Sequence, residues 1–148
     1  MRLACTQVVQ NKGSAGVDGM SVNELYQYVQ QHKKDIAVSV TNGIYLPQPI
    51  LGVSIPKSNG KTRLLGIPTV VDRWLQQCVS QVIAPRFEYE FKHYSYGFRP
   101  SKNALQCVQQ SQQYINDGYR HIVDIDLQNF FDEVDHCLLL NLLYFKVK

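Results

Sequence analysis

The chain has 148 residues and a formal net charge of +3, with 45% hydrophobic and 18% charged residues. This balance predicts one folded domain with a real hydrophobic core and excludes a wholly disordered chain. The longest apolar run, from Leu138 to Phe145, is interrupted by Asn141 and is far shorter than the roughly 20 residues of a membrane span. Because the N-terminus also has no signal-peptide core, we expect a cytoplasmic protein with no membrane partner.

The charges are unevenly distributed along the chain. Residues 57–102 carry eight basic and three acidic side chains, whereas residues 117–135 carry six acidic side chains and one basic one. A basic stretch followed by an acidic cluster is typical of a site that holds a polyanion beside metal ions. Two solvated faces that neutralise each other explain the same pattern.

The four cysteines lie far apart in the sequence, with no Cys-x-x-Cys spacing: Cys5, Cys78, Cys107 and Cys137. We expect reduced, mostly buried thiols and no structural zinc.

The first elements are helical. A glycine-rich loop covers residues 13–19, and Ser21 with Glu24 three residues later forms a capping-box pattern. The apolar spacing then predicts a helix from about residue 22 to the low thirties. A second short helix is expected over residues 35–40, because Asn42-Gly43 is a good C-terminal stop.

A β-hairpin is predicted next. Two β-prone runs, residues 50–55 and 62–67, flank Asn59-Gly60, and the surrounding prolines exclude a helix. Lys57, Lys61 and Arg63 surround the tip, where lysine offers a mobile charge and arginine a rigid fork that matches phosphate.

The register of the hairpin decides whether these cations can act together. A two-residue turn at Asn59-Gly60 would send Lys57 and Arg63 to opposite faces. A three-residue loop, residues 58–60 with Gly60 in the left-handed conformation, would pair Lys57 with Lys61 and put all three cations on one face. We predict the second register, since it makes a phosphate clamp; an ordinary solvated hairpin is the alternative.

Helices flank an aromatic stretch in the middle of the chain. Thr69 is expected to cap a helix with Asp72 at its third position, and Pro85 interrupts the apolar pattern of that helix. Within residues 94–100, Tyr96 and Phe98 are expected in the core, and Arg99 is the better candidate for an external partner. Ser101 is predicted to cap a further helix that ends near Asp117-Gly118, and a last helix is expected to begin with Asp135 as its N-cap.

The clearest predicted strand runs from Tyr119 to Leu127. Side chains alternate along a strand, so Asp124 and Asp126 would share one face while Val123 and Ile125 face the core. An acidic residue at the end of an apolar strand is costly to bury unless it binds a cation or a donor. Asp126 therefore marks either a Mg²⁺-dependent phosphoryl-transfer site or a solvated loop with a capping carboxylate.

Four motifs occur in order along the chain. They are N-K-G-S-A-G-V-D-G-M (11–20), I-P-K-S-N-G-K-T-R-L-L-G-I-P (55–68), Y-S-Y-G-F-R-P (94–100) and V-D-I-D-L-Q-N-F-F-D (123–132). Together they closely resemble the N-terminal half of bacterial group II intron reverse transcriptases, the retron-type RNA-directed DNA polymerases.

This resemblance implies an α+β fold, with helices around a β-hairpin and a small antiparallel sheet. It is the arrangement of the fingers and the first part of the palm of a right-hand polymerase. The implied organisation is an N-terminal extension (1–48), fingers (49–118) and the start of the palm (119–148).

The resemblance also implies the roles of individual residues. Asp126 matches the catalytic carboxylate that binds both Mg²⁺ ions, and the carbonyl of Leu127 matches a further metal ligand. Phe131 matches the aromatic gate that excludes the ribonucleotide 2′-hydroxyl. Further along the match, Lys57 and Arg63 correspond to the residues that hold the triphosphate, and Leu65 to the one that packs on the templating base. The basic residues expected to contact nucleic acid are Lys12, Lys61, Arg99 and Lys102.

The implied function is two-metal nucleotidyl transfer in a full-length enzyme, with an RNA template (intron RNA), a DNA primer and dNTPs as partners in the bacterial cytoplasm at the nucleoid. No Asp-Asp pair occurs in the sequence, so we expect this chain alone to be inactive, because two-metal catalysis needs carboxylates on both sides of the ion pair. The alternatives are a non-catalytic, maturase-like RNA-binding module and an unrelated structural domain. An exposed palm edge and the apolar residues 137–145 predict a homodimer or larger species.

Overall fold

The computed structural model describes residues 1–56, 58 and 60–147, and within them the chain forms helices and one two-stranded antiparallel sheet. In chain order the elements are α1 (Arg2–Gln10), α2 (Leu25–Thr41), β1 (Leu51–Pro56), β2 (Thr62–Ile67), α3 (Val70–Glu88), α4 (Ala104–Asn116) and α5 (His136–Val147). This content confirms the predicted α+β class. No helix in the described part of the chain is long and apolar enough to cross a membrane.

The chain divides into two compact units, residues 1–82 and 83–148. The first unit contains a hydrophobic core built from α1, α2 and the beginning of α3. Its most deeply buried large side chains are Leu25, Val70 and Trp74. The Trp74 indole N–H donates to the carbonyl of Met1 at 3.3 Å, which ties the start of α1 to α3.

Helix α2 is one continuous helix, so the prediction of two separate helices was wrong. Residues 31–35 are polar, yet they are compatible with a helix and do not interrupt it. Val29 and Ile36, two turns apart, are both buried and hold the helix against the core. The helix ends as predicted at Asn42, and Gly43 follows with a positive φ of 69°.

The hairpin has the predicted register. Pro56 pairs with Thr62 and Ile55 with Arg63, whereas a two-residue turn would shift each partner by one position. Gly60 has a φ of 76°, as expected for a three-residue loop. Lys57 and Asn59 lie outside the described residues, so the predicted pairing of Lys57 with Lys61 stays a prediction.

The second unit lacks a core of its own, since none of the described residues from 83 to 147 is buried. Helix α3 passes through Pro85 and ends at Glu88 rather than breaking at the proline. Asn103 caps α4 in a capping box with Gln106, with both hydrogen bonds at 2.9 Å. The expectation of Ser101 as the cap was wrong, because Asn103 is the residue that immediately precedes the helix.

Residues 119–127 form no strand, contrary to the prediction. Ile122 is 87% exposed, and Val123 and Ile125, predicted to face the core, are each 81% exposed. A strand needs a hydrogen-bonded neighbour, and the two strands in the described part of the chain pair only with each other. The segment therefore has strand-forming composition without a strand to pair with. The predicted N-cap of the last helix is confirmed, since Asp135 accepts a hydrogen bond from the amide of Leu138 at 2.9 Å.

Candidate functional site

The hairpin that carries the predicted site residues Arg63 and Leu65 is an exposed two-stranded ribbon. Only Ile55 in β1 and Ile67 in β2 are half-buried, and the other residues of both strands are exposed. Directly paired residues share a face, so Arg63 lies on the face of Ile55, and Leu65, two residues on, lies on the same face. The ribbon thus presents a guanidinium and an apolar side chain side by side to solvent.

Both ends of the hairpin are anchored by one buried carboxylate. Asp72, on the first turn of α3, is 4% exposed. Its Oδ1 accepts from the hydroxyl of Tyr45 at 2.7 Å, and its Oδ2 accepts from the amide of Gln48 at 3.1 Å and the hydroxyl of Thr69 at 2.6 Å. Gln48 precedes β1 and Thr69 follows β2, so this carboxylate joins the chain entering the hairpin to the chain leaving it.

Thr69 also confirms its predicted role as the cap of α3, because its hydroxyl accepts from the amide of Asp72 at 3.2 Å. Burial of the phenol, together with the adjacent Asp72 carboxylate, raises the pKa of Tyr45 well above its ordinary value. The Tyr45 hydroxyl therefore stays protonated and keeps donating to Asp72 over the physiological pH range.

The glycine-rich loop packs directly on this anchor. A Cβ at Gly16 would lie 2.7 Å from Cα and 2.8 Å from the backbone nitrogen of Thr69, so the approach requires glycine. Arg73, the neighbour of Asp72, donates to the carbonyl of Ser14 at 2.6 Å. Lys12 lies before this loop, exposed and with a positive φ of 49°. The start of α3 thus holds the glycine loop as well as the hairpin.

In the second unit, three predicted site residues line one cavity. Asp126, Leu127 and Phe131 lie around an open cavity of about 560 Å³, lined by residues 125–127 and 129–132. Oδ1 of Asp126 accepts from the amide of Leu127 at 3.0 Å. Phe131 is exposed and meets the neighbouring Phe130 edge to face, with ring centroids 5.3 Å apart.

The ligands around Asp126 do not make a complete metal site. In the described residues no group of three or more His, Cys, Asp and Glu side chains is close enough together to hold a metal ion. One carboxylate and one backbone carbonyl are hard oxygen donors of the kind Mg²⁺ prefers. The Asp126 carboxylate and the Leu127 carbonyl could therefore provide some of the ligands of a Mg²⁺ ion, but two donors are too few for a two-ion site.

The aromatic stretch is organised around Arg99, the residue predicted to face outward. Its guanidinium donates twice to Oε1 of Glu88, at 3.1 and 2.8 Å, and to the carbonyls of Lys92 and Ser95 at 2.7 and 2.8 Å. It also lies 5.2 Å from the centroid of the Phe91 ring. The Arg99 side chain is only 9% exposed, so its contacts here are internal, and a nucleic-acid contact by Arg99 stays a prediction.

Phe98 shows the reverse of its predicted environment. It was expected in the core, but it is fully exposed and has a left-handed φ of 53°. Lys102 donates to the carbonyl of His93 at 2.9 Å and lies 5.1 Å from the centroid of the half-buried Tyr96 ring. Arg99 and Lys102 thus bind backbone carbonyls and rings of this loop, whereas Phe98 lies outside these contacts and is exposed.

The predicted site residues are thus gathered within each unit. Arg63 and Leu65 share the hairpin of the first unit, and Asp126 and Phe131 share a cavity of the second. The role of Asp72 in joining the two ends of the hairpin was not predicted from the sequence. Thr69-x-x-Asp72 signalled a helix cap, but no local pattern points to Tyr45, 27 residues away.

The cysteine prediction is half right. All four thiols are free; Cys5 is buried and Cys78 half-buried, whereas Cys107 and Cys137 are exposed. Burial raises the pKa of the Cys5 and Cys78 thiols, which keeps them protonated and unreactive.

Residues 55–147 match the family described as reverse transcriptase (RNA-dependent DNA polymerase). The chain is 34% identical over 129 residues to the protein YkfC of Escherichia coli, covering 84% of this chain and 34% of that protein. It is 31% identical over 147 residues to the group II intron-encoded protein LtrA of Lactococcus lactis, covering 99% of this chain and 24% of LtrA. The putative COX1/OXI3 intron 2 protein of Saccharomyces cerevisiae is 26% identical over 140 residues, covering 93% of this chain and 15% of that protein.

The chain therefore spans about a third of the length of YkfC and about a quarter of the length of LtrA. The family match covers the hairpin from Ile55 onward, the aromatic stretch and the Asp126 cavity, and so includes three of the four motifs that carried the resemblance in the sequence. The expected family is confirmed: the chain belongs to the reverse transcriptases, and a group II intron-encoded protein is among the relatives that it resembles.

Proposed function

We propose that this chain supplies the nucleotide-binding and template-binding part, and the first catalytic carboxylate, of an RNA-directed DNA polymerase. The observation that carries the proposal is the hairpin, whose register puts Arg63 and Leu65 on one exposed face. A positive fork beside an apolar side chain suits a ligand with a phosphate chain at one end and a base at the other. A nucleoside triphosphate opposite a template base has that form.

In this proposal the segments follow the division implied by the resemblance. Residues 1–48 form the N-terminal extension, 49–118 the fingers and 119–148 the start of the palm. The proposed partners are an intron RNA template, a DNA primer and dNTPs, in the bacterial cytoplasm at the nucleoid. Lys12, which directly precedes the loop that packs against the hairpin anchor, and Lys61, beside β2, are the proposed contacts to the RNA backbone.

The residues of the hairpin would act by positioning and by neutralising charge. Arg63, with Lys57, would hold the triphosphate, since arginine binds phosphate oxygens through two parallel hydrogen bonds. Leu65 would pack on the templating base. Holding both partners in one geometry lowers the entropic part of the barrier, which is the main contribution of protein groups in phosphoryl transfer.

The cavity at Asp126 would provide the selection of the sugar and part of the metal coordination. The Phe131 ring, exposed in the same cavity, has the bulk to exclude a 2′-hydroxyl. The Asp126 carboxylate and the Leu127 carbonyl would be ligands of Mg²⁺, which, when bound, stabilises charge on the phosphate oxygens. Because these two donors do not fit a two-ion site alone, we propose that the isolated chain does not extend primers.

The second candidate function is a maturase-like module that binds RNA without catalysis. The observation in its favour is that no group of three metal-binding side chains is found in the described residues. Both candidates predict RNA binding that weakens steeply as the salt concentration rises, because lysine and arginine side chains that bind the RNA phosphates displace their counterions. They differ in whether the hairpin also recognises a triphosphate.

The experiment is a binding titration with an RNA template annealed to a DNA primer, followed by competition with inorganic tripolyphosphate. If the proposal is right, Arg63→Ala weakens tripolyphosphate competition about tenfold, the size of a lost charged hydrogen-bond pair. Lys34→Ala, an exposed cation on α2, is the matched control. Equal competition in the wild type and Arg63→Ala would reject the nucleotide role and leave the binding module.

A further inference from the structure

The orientation of the hairpin depends on contacts at the open ends of its two strands, where the chain enters β1 and leaves β2. Its strands pair with each other, and only two of their side chains are half-buried. A two-stranded ribbon is marginally stable by itself and needs contacts elsewhere to be held in place. The groups that reach both ends of this ribbon meet at Asp72.

We infer that Asp72 is a positioning residue, whose buried carboxylate fixes the direction in which the hairpin presents Arg63 and Leu65. It accepts three hydrogen bonds, from Tyr45, Gln48 and Thr69, on both sides of the hairpin. The two hydroxyl bonds, at 2.6 and 2.7 Å, have the short distances of hydrogen bonds to a charged acceptor, and the amide bond from Gln48 is 3.1 Å long.

The geometry at the hairpin exit reinforces this role. The backbone of Gly16 packs on Pro68 and Thr69 so closely that an added Cβ would lie 2.7–3.1 Å from their backbone atoms. Thr69 is therefore held from two directions, by the glycine loop on one side and by Asp72 on the other. The glycine loop and the hairpin share one fixed frame, in which the proposed template and nucleotide contacts keep their spacing.

An ordinary fold-stabilising residue would behave differently. Of the three residues that Asp72 contacts, Gln48 and Thr69 lie outside the apolar core formed by α1, α2 and α3, and the Tyr45 ring packs against that core. Tyr45→Phe keeps this ring and removes only the hydroxyl. Loss of the Asp72 bonds should loosen the hairpin while α1 and α2 keep their packing. The functional consequence rests on the proposed role of the hairpin, whereas the positioning itself does not.

Hydrogen–deuterium exchange of the whole chain separates these cases. In Asp72→Asn and in Tyr45→Phe we expect amides of β1 and β2 to exchange about tenfold faster, and those of α1 and α2 to be unchanged. Tyr26→Phe, which removes an exposed hydroxyl on α2, is the matched control. Asp72→Asn also changes the hydrogen bond between Asp72 and Thr69 at the start of α3. If Asp72→Asn does not fold, the exchange pattern of Tyr45→Phe decides the outcome.

A second pair of variants tests the hydroxyl of Thr69. Thr69→Ser keeps the hydroxyl that donates to Asp72, so the amides of the hairpin should exchange at the wild-type rate. Thr69→Val keeps the shape of the side chain but loses the hydroxyl, so these amides should exchange faster. Equal acceleration in the hairpin and in α1 and α2 would overturn the inference, since it would show a general loss of stability. Unchanged exchange in Tyr45→Phe and Thr69→Val would overturn it as well.

The same proteins distinguish this inference from the proposed function. If tripolyphosphate competes through the hairpin, Tyr45→Phe should weaken that competition severalfold although it removes no charge. If Arg63→Ala leaves competition unchanged, the nucleotide role fails, and the positioning role of Asp72 is still decided by the exchange pattern.

Discussion

The hydroxyl of Tyr45 donates a 2.7 Å hydrogen bond to Asp72, 27 residues further along the chain. This bond connects the segment before the hairpin to the helix that follows it. Its strength depends on Tyr45 remaining protonated, and burial with the nearby carboxylate raises the Tyr45 pKa. The relationship therefore makes the anchor sensitive to alkaline conditions and insensitive to changes near neutral pH.

The alkaline limit can be measured. A folded-state pKa above the unfolded value gives stability that is complete below the ordinary tyrosine pKa, about 10, and is lost as the pH rises above it. We expect the free energy of unfolding to fall above about pH 10, by less than about 1.4 kcal/mol per pH unit for this group. In Tyr45→Phe the fall should be smaller, although other groups titrating there, Cys5 among them, remain.

Urea unfolding at several pH values, compared between the wild type and Tyr45→Phe, isolates the Tyr45 contribution as a difference. Parallel curves above pH 10 would show that the hydrogen bond to Asp72 does not contribute in this way.

The core of the first unit makes a sharp prediction for stability. Leu25 is fully buried, and Leu25→Ala should lower the free energy of unfolding by about 2–5 kcal/mol through lost burial and a new cavity. Leu142→Ala, the same change at a position 59% exposed in α5, should cost less than about 1 kcal/mol. Trp74, the single tryptophan and fully buried in that core, reports unfolding by fluorescence. Equal effects of the two substitutions would contradict the core described.

RNA binding should depend on a few defined cations. Lys12→Ala and Lys61→Ala should each weaken binding of a single-stranded RNA and reduce the salt slope by about 0.7. Lys33→Ala, on the exposed surface of α2, serves as the control with the same change in net charge. Equilibrium titrations from 50 to 300 mM KCl provide the slopes. A similar loss in all three variants would indicate a diffuse charge effect without a specific path for the RNA.

Substitution of Arg99 tests whether its side chain stabilises the loop or contributes positive charge to RNA binding. Arg99→Lys keeps the positive charge but loses the fork that reaches Glu88, Lys92 and Ser95. We expect faster chymotrypsin cleavage at Phe91 and Tyr94 in Arg99→Lys, with RNA affinity changed less than twofold. A large loss of RNA affinity with unchanged proteolysis would instead support the predicted nucleic-acid contact.

Self-association follows from the exposed apolar surface of α5. Leu138, Leu140 and Phe145 are each more than half exposed, in a unit without a buried residue in its described part. We propose a dimer or larger species at tens of micromolar, and Leu140→Glu with Phe145→Glu should shift it toward monomer. Light scattering measures the mass, and a wild-type monomer at that concentration would refute the proposal.

The parts predicted well from sequence are those encoded by neighbouring residues. Gly60 set the hairpin register because a three-residue loop needs one left-handed residue, and Thr69 and Asp135 cap the helices that follow them. The errors lie where distant partners decide. Residues 119–127 have strand composition but no strand to pair with in the described part of the chain, and Arg99 pairs with Glu88, 11 residues earlier, which no local pattern indicates.

The distribution of buried residues has a consequence for synthesis of the chain. In the described structure every buried side chain lies at or before Trp74, within the first unit. A ribosome adding 5–20 residues per second needs on the order of 3–13 s to make the 66 residues from 83 to 148. The first unit has that interval in which to close around Trp74. Closure of this core needs no residue of the second unit, because the described part of that unit contributes no buried side chain.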